Sequence, residues 1–256
     1  MSRFSATTSS VRNVSGGQCF RFAFPLFLIG LICAIPSNAE EKTGFAQVSG
    51  TVLFEGDQIP PRRFFKIDDD QSTCGALVPS EHLLIDKSTL GVKNAVVRLI
   101  PGEATGENPD KVPHETRALV NRGCHFEPHL VVLRKGETLL LKNEDPILHS
   151  DHFFSDKKSL DNTALTPHMP PVKKSFKEEG LYRVKCDIHE FMEAFILVDS
   201  NPWIAISDEK GRFDFGSLPA GNYIFSIWAE SFDELTSPIT LKAGDRRNLS
   251  LGVKPR

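Results

Sequence analysis

The sequence LYRVKCDIHEFM, residues 181–192, joins a short alternating segment to a loop rich in metal-binding side chains. Tyr182, Val184 and Cys186 occupy alternate positions, so in a β-strand they point to one face, with basic residues on the other. Cys186 therefore ends the predicted strand on its inward face. His189 and Met192 follow at steps of three residues. This spacing lets a tight loop bring a thiolate, an imidazole and a thioether to one point.

A metal held by this loop needs a further ligand, and His149 is the natural candidate. It lies upstream, shortly after a predicted strand from Thr138 to Lys142. A thiolate, two imidazoles and a weak axial thioether suit a copper site built for electron transfer. Zinc is the main rival metal, since one cysteine and two histidines can bind it too. A nucleophilic pair of Cys186 and His189 is disfavoured, because no orienting third group or oxyanion-hole motif accompanies it.

The rest of the chain predicts an all-β protein. Short apolar or alternating runs bounded by turn-forming residues recur throughout, whereas helical periodicity is nearly absent. Strands are predicted at Gln47 to Phe54, Ala95 to Ile100, Arg117 to Asn121, Leu130 to Leu133, Thr138 to Lys142, Leu181 to Lys185, Phe195 to Val198, Ile204 to Ser207, Arg212 to Phe215, Tyr223 to Glu230, Ile239 to Lys242 and Asn248 to Gly252. Their spacing is typical of β-sandwiches. The polar stretch from Phe154 to Lys174 is predicted to be a long loop.

Residues 112–200 resemble the cupredoxins, the family of blue-copper proteins. The resemblance rests on FEPHL at 126–130 and KGET at 135–138, on a first-ligand loop from Asn143 to His149, and on Cys186-x-x-His189-x-x-Met192. The last motif has the short ligand-loop spacing of the amicyanin and plastocyanin type. The resemblance implies a cupredoxin-like Greek-key β-sandwich with one type 1 copper. His149, Cys186 and His189 would then be the trigonal ligands, and Met192 the long axial one.

Two positions depart from the family pattern. The family usually has Asn after the first His, where its amide tethers the two ligand loops. Ser150 stands there in this chain, and its hydroxyl donates only one hydrogen bond, which predicts a softer site. Glu190 brings a carboxylate beside the metal, where it would affect the reduction potential.

The flanking segments resemble the carboxypeptidase regulatory-like domain, a small transthyretin-like β-sandwich. Its second half is matched by D-x-x-G-x-F-x-F and L-P-x-G-x-Y within residues 208–223, and its first half by GTV at 50–52 and the run from Lys93 to Leu99. We hypothesise that the copper domain is inserted into this second sandwich, with residues 45–102 and 201–256 completing one another. The simpler alternative is an N-terminal extension and a separate C-terminal sandwich.

The first 39 residues have the pattern of an export signal. Arg3, Arg12 and Arg21 occur without an acidic residue, an apolar run covers residues 22–35, and Ser-Asn-Ala at 37–39 forms a small-residue cleavage site. The apolar run is too short for a comfortable membrane span, although an uncleaved anchor is the alternative. We therefore expect a periplasmic or secreted protein with no stable membrane span after cleavage. The whole chain has a formal net charge of −3, which gives no indication of a nucleic-acid partner.

Three of the five cysteines lie beyond the predicted signal: Cys74, Cys124 and Cys186. If Cys186 binds a metal, Cys74 and Cys124 remain to form a disulfide. The alternative, three unpaired thiols, is unusual outside the cytosol.

Together these patterns predict an exported mononuclear copper protein that transfers electrons and is not an enzyme. By analogy with the family, His189 would lie near an apolar surface and provide the electron exit; the sequence does not identify the redox partner. Alternatives are a periplasmic copper storage or delivery protein, and a structural or adhesion sandwich with a metal site. A second metal cluster could also be drawn from His125, His129, His152 and His168, although such scattered histidines are more typical of surface or hydrogen-bonded positions.

Overall fold

The computed structural model describes residues 44–102 and 118–256. The predicted signal at 1–39, with its three arginines, and the predicted start of the copper domain at 112–117 lie outside the described residues. Within the described part the fold is all-β, as predicted, with one helix of four residues. No helix in this part is long and apolar enough to cross a membrane.

The elements follow one another in this order: β1 (Phe45–Phe54), β2 (Phe64–Lys66), α1 (Gln71–Cys74), β3 (Leu77–Pro79), β4 (Val96–Pro101), β5 (Ala118–Arg122), β6 (His125–Glu127), β7 (Leu130–Leu133), β8 (Thr138–Asn143), β9 (His149–Ser155), β10 (Lys158–Leu165), β11 (Val172–Ser175), β12 (Gly180–Lys185), β13 (Glu193–Val198), β14 (Ile204–Ile206), β15 (Arg212–Pro219), β16 (Gly221–Trp228), β17 (Leu235–Leu241) and β18 (Arg246–Val253).

One sandwich contains the loop of predicted metal ligands, residues 186–192. A five-stranded sheet of order β10-β9-β12-β13-β7 faces a four-stranded sheet of order β11-β8-β5-β6. Their facing side chains share one hydrophobic core, which includes Leu141, Phe153 and Ile196. In β12 the predicted alternation is observed, since Tyr182 and Val184 are buried while Arg183 between them is exposed. The stretch from Phe154 to Lys174 is not the predicted loop: it completes β9 and contains β10 and most of β11.

The second sandwich is built from the flanking segments. One sheet has the order β15-β1-β18 and the other β14-β4-β16-β17, so each combines strands from before and after the first sandwich. Their common core contains Val48, Leu99 and Phe225. The strand order shows which segments pair, but a domain is defined by its ability to fold independently. The inserted-domain arrangement and its boundaries therefore stay a prediction.

The two sandwiches meet through a third apolar cluster formed by β4, β7, β13 and β14. Phe195 of β13 packs edge-on against Trp228, with ring centroids 5.2 Å apart. Strand β13 is therefore buried on both faces, which explains its uninterrupted buried run from Ala194 to Val198. The strand that leaves the predicted ligand loop therefore packs against both sandwiches.

A short segment, residues 64–79, folds over one end of the first sandwich, and we call it the cap. It consists of β2, α1 and β3, and its two strands pair only with each other. A disulfide from Cys74 to Cys124 ties the cap to the turn between β5 and β6, across a sequence separation of 50 residues. The sequence predicted no regular structure for this segment.

Candidate metal centre

Three of the predicted ligands converge where two loops meet. Strand β9 begins at His149, and Cys186 and His189 lie in the turn after β12. The sulfur of Cys186 is 3.9 Å from Nδ1 of His149 and 3.8 Å from Nδ1 of His189. The two Nδ1 atoms are 3.2 Å apart. All three side chains are buried.

A carboxylate on the far side of each imidazole sets its tautomer. Nε2 of His149 lies 2.9 Å from Asp145, and Nε2 of His189 lies 3.2 Å from Asp70. An ionised carboxylate only accepts hydrogen bonds, so each Nε2 carries the proton. Each Nδ1 faces the same point, which Cys186 also faces, and in a neutral imidazole this nitrogen would carry a lone pair. Carboxylate partners of this kind orient metal-binding imidazoles and raise their basicity.

The triangle of donor atoms has the dimensions of a metal site. Metal–nitrogen bonds of about 2.0–2.1 Å and a metal–sulfur bond of about 2.3 Å, at equal angles, would separate nitrogen from sulfur by about 3.8 Å and the nitrogens by about 3.5 Å. The observed separations of 3.8, 3.9 and 3.2 Å lie close to these values. The residues present therefore fit a metal without rearrangement of the loops.

The sulfur of Cys186 also receives two backbone amides. The N–H groups of Ser150 and His189 each donate to it at 3.4 Å. Hydrogen bonds to an anionic sulfur stabilise it and influence the electronics of a metal–thiolate bond. Both loops therefore stabilise the same sulfur.

Ser150 tethers the two loops in spite of its short side chain. Its hydroxyl oxygen accepts a hydrogen bond from the backbone N–H of Asp187 at 2.8 Å, in addition to the bond from its own N–H to the sulfur. The same hydroxyl also donates to the sulfur of Cys186 at 3.9 Å. Ser150 therefore contacts both loops, and the softer site stays a prediction.

Backbone hydrogen bonds close the ligand loop. The N–H of Met192 donates to the carbonyl of His189 at 2.8 Å, and the N–H of Cys186 donates to the carbonyl of Met192 at 3.3 Å. Met192 is 2 % exposed and belongs to the same apolar core as Cys186, while its role as axial ligand stays a prediction. Glu190 is exposed, so water screens the carboxylate that was expected beside the metal.

Asp145 links the centre to the disulfide. Its two carboxylate oxygens accept the N–H groups of Gly123 at 2.6 Å and Cys124 at 2.9 Å. Burial opposes ionisation of this group, but those amides and His149 outweigh it and lower the pKa of Asp145. Burial lowers the pKa of His149 and outweighs the opposing hydrogen bond to Asp145. An ionised Asp145 and a neutral His149 are the forms that metal binding requires.

The cap covers His189, so this side chain does not itself lie at the surface, and its role as electron exit stays a prediction. His189 is only 5 % exposed, and its Nε2 is bonded to Asp70 at the start of α1. Phe65 of the cap stacks on Phe191 with ring centroids 6.0 Å apart, and Phe191 packs edge-on against His189. The disulfide also lies beside this imidazole. The only sequence signals for this cover were the acidic run at 68–70 and the cysteine that follows it.

The four histidines considered as a second cluster do not come together in the described part of the chain. His152 bonds to Asp187 at 2.9 Å, His125 contacts the carbonyl of Gly123 at 2.8 Å, and His168 is exposed. His129 instead shares the carboxylate of Glu230 with His82, a histidine that was not singled out from the sequence.

No family model matches the chain, and no curated protein does. Solved structures similar to this chain include cupredoxins. A purple cupredoxin from Nitrosopumilus maritimus has a TM-score of 0.29 and 19 % identity, over 32 % of this chain and 98 % of that one. A reduced amicyanin mutant has a TM-score of 0.30 and 20 % identity, over 41 % of this chain and 99 % of that one. A reduced Cu(I) form of another amicyanin mutant at pH 4 has a TM-score of 0.30 and 19 % identity, over 40 % and 98 %. Since these TM-scores are low, a function for this chain has to be argued from the geometry of its own site.

Proposed function

We propose that this chain is an exported mononuclear copper protein that acts in electron transfer. One observation carries the proposal: two imidazole nitrogens and one cysteine sulfur, all buried, face a single position. Without a cation or a proton between them, lone pairs on nitrogens 3.2 Å apart would repel each other. The two carboxylates favour protons on the opposite nitrogens, which supports a metal at this position.

The donor set favours copper over zinc. Structural zinc sites are four-coordinate with strong ligands, and catalytic zinc sites keep a position open to water. Here the strong donors number three and are buried, and the only further donor that the ligand loop predicts is the thioether of Met192. Thioethers are soft, weak ligands that suit copper. Copper bound there would supply a one-electron couple between Cu(I) and Cu(II).

The surroundings favour electron transfer over copper delivery. His149 is held by Asp145, His189 by Asp70, and Cys186 by two amides, so the donors are fixed before any metal binds. A rigid set changes little between oxidation states. The disulfide-anchored cap also hinders the ligand exchange that handing copper to another protein would require.

An electron reaching a partner through His189 would cross the cap. The hydrogen bond from Nε2 of His189 leads to Asp70, whose side chain is 40 % exposed. We therefore propose that a redox partner, which stays unidentified, approaches the face of the cap that carries Asp70. The burial of all three donors also supports a role other than catalysis. The Cys74–Cys124 disulfide supports a location in an oxidising compartment, periplasmic or extracellular.

Copper loading with visible and electron paramagnetic resonance spectra tests the proposal. We expect one copper per chain, a strong thiolate-to-Cu(II) charge-transfer band and a narrow copper hyperfine splitting. Cys186→Ser and His149→Asn should abolish both signatures, whereas the matched variant His168→Asn, at an exposed position, should keep them. Unchanged spectra in Cys186→Ser would exclude the proposed ligand set. Voltammetry then separates the roles, because a reversible wave supports electron transfer and copper loss on reduction supports storage or delivery.

A further inference from the structure

A cavity of about 680 Å³ lies between the two sandwiches and shares no residue with the proposed copper centre. We call it the edge groove. Its lining includes residues 130–132 of β7 and residues 204–206 of β14, and each of these strands is the last one in its sheet. Cavities of this size hold ligands in many proteins. The edge groove is therefore a candidate binding site.

Strand β7 presents unpaired backbone groups along its open edge. On the other edge it pairs with β13, where the N–H of Phe195 donates to the carbonyl of His129 at 2.9 Å. Successive residues of a strand direct their backbone groups to opposite sides, so the N–H and C=O groups of Leu130 and Val132 point away from β13. No hydrogen bond among the described residues uses these groups. They are free to pair with another chain.

Strand β14 contributes a second open edge, from the other sandwich. The N–H of Ser207 donates to the carbonyl of Ala95 in front of β4 at 2.9 Å, so the N–H and C=O groups of Ile204 and Ile206 point away from β4. Within the described ranges these groups also have no backbone partner. Two open strand edges, one from each sandwich, therefore line the same cavity.

Neither edge carries the features that usually protect a strand from other chains. Natural proteins place charged residues, prolines or bulges at open edges. Strand β7 has the sequence LVVL and β14 has the sequence IAI, and their pairing with β13 and β4 shows no bulge. An unprotected apolar edge is a template for one more strand, and here it lies within a groove that limits which segments can reach it.

The side chains around the groove define what such a strand would contain. Val131 belongs to the core of the first sandwich, whereas Val132 packs on the apolar cluster between the sandwiches. A strand added beside β7 would therefore meet apolar surface at alternate positions. Ser49, Thr51 and Asn248 line the groove as well, and their hydroxyl and amide groups suit uncharged polar side chains.

The charges along the groove balance, which favours an occupant without net charge. A smaller cavity of about 330 Å³ adjoins the groove and shares Ser49 and Asn248 with it. Two ion pairs involve most of the charged side chains of both cavities: Arg212–Asp208 and Arg247–Asp245. The remaining two, Asp214 and Arg246, have opposite signs. Nucleic acid and acidic surfaces would meet no excess of positive charge here.

We propose that the edge groove binds an extended, uncharged peptide segment of a partner protein, which adds as a strand to the open edge of β7. Strand β7 has four residues, so the paired segment would be about 13 Å long. Its backbone bonds to Leu130 and Val132, and it carries apolar residues at alternate positions. The proposal does not depend on the copper centre, and both can be tested on the same preparation.

Fluorescence anisotropy of a labelled peptide tests the site. The probe is Ser-Val-Thr-Val-Thr-Val-Ser, capped at both ends, and the control is Val-Val-Val-Thr-Thr-Ser-Ser, which has the same composition without alternation. We expect saturable binding of the probe by the copper-loaded protein with a Kd below about 1 mM, and binding of the control at least about fivefold weaker. Cys186→Ser should bind the probe equally well, so failure of the copper proposal would not remove this result.

A pair of variants at one position tests the backbone contact. Val132→Pro removes the N–H that points into the groove, and proline is tolerated on an edge strand where its missing N–H faces outward. It should weaken probe binding about tenfold, whereas Val132→Thr, which keeps the N–H, should change it less than about twofold. Circular dichroism checks that both variants fold. Amide hydrogen exchange of the wild type needs no variant, and the probe should protect the N–H groups of Leu130 and Val132 at least about tenfold.

Several results would overturn the proposal. These are no probe binding up to about 1 mM, equal affinities of Val132→Pro and Val132→Thr, or unprotected amides at Leu130 and Val132. A dimer in sedimentation that dissociates in Val132→Pro would assign the edge to a second copy of the chain. Binding of cellohexaose in place of the probe would assign the groove to a glycan.

Discussion

Removal of the disulfide that anchors the cap, by the double substitution Cys74→Ala and Cys124→Ala, should destabilise the protein strongly. The bridge spans 50 residues. Without it the unfolded chain gains conformational entropy, which lowers the free energy of unfolding by about 4 kcal/mol at 25 °C. For a chain of this size, each kcal/mol shifts the Tm by about 2–4 °C. We therefore expect the Tm of the metal-free protein to fall by roughly 8–16 °C. Both cysteines must change together, because a single change leaves a free thiol beside His189.

The same variant should expose the centre. Strands β2 and β3 pair only with each other. Without the disulfide the cap is held by Ile67 and Val78, which are buried in the core of the first sandwich. The Phe65–Phe191 stack and the Asp70–His189 hydrogen bond add to this. A copper chelator should then remove copper several-fold faster than from the wild type. Calorimetry and a stopped-flow chelation assay provide the two readouts. A Tm change below about 3 °C together with an unchanged chelation rate would refute the role assigned to the cap.

Three further predictions concern single side chains. Asp145→Asn removes the carboxylate behind His149 and should lower copper affinity by about 10–100-fold in a competition titration; unchanged affinity would contradict its role. Ser150→Ala removes the acceptor for the Asp187 amide and should lower the free energy of unfolding, measured in urea, by about 1 kcal/mol. An unchanged free energy of unfolding would show that this tether is unimportant. Because His129 has its pKa raised to about 9, the stability it gives the metal-free protein is complete below about pH 6.5 and is lost as pH rises through about 9. Between these two pH values the free energy of unfolding of the wild type should therefore fall by up to roughly 3 kcal/mol more than that of His129→Gln. Equal decreases in the two proteins would contradict the ion-pair assignment.

The all-β fold could be predicted from local patterns. Residues that alternate along β12 alternate in burial as well, because one face of this strand packs on the core and the other faces solvent. The region from Phe154 to Lys174 was misassigned as a loop because β10 and β11 are mostly exposed. Edge strands without a buried face lack the apolar alternation that identifies strands in a sequence.

The convergence of His149, Cys186 and His189 was also predictable, because short loops between paired strands bring their residues together. The carboxylates that hydrogen-bond to the two histidines could not be predicted. Asp70 lies 119 positions from His189, and its carboxylate reaches the imidazole because the cap, tied by the disulfide and packed on the first core, folds back over it. The ion pairs of His82 and His129 with Glu230 were missed for the same reason, since these residues share no motif and meet only when the sandwiches pack.

X-ray absorption at the copper edge of the copper-loaded protein would identify the atoms bound to the metal. We predict one sulfur at roughly 2.2–2.3 Å and two imidazole nitrogens at about 2.0 Å, with the sulfur shell missing from Cys186→Ser. A copper shell of nitrogen and oxygen alone in the wild type would contradict the ligand set of His149, Cys186 and His189.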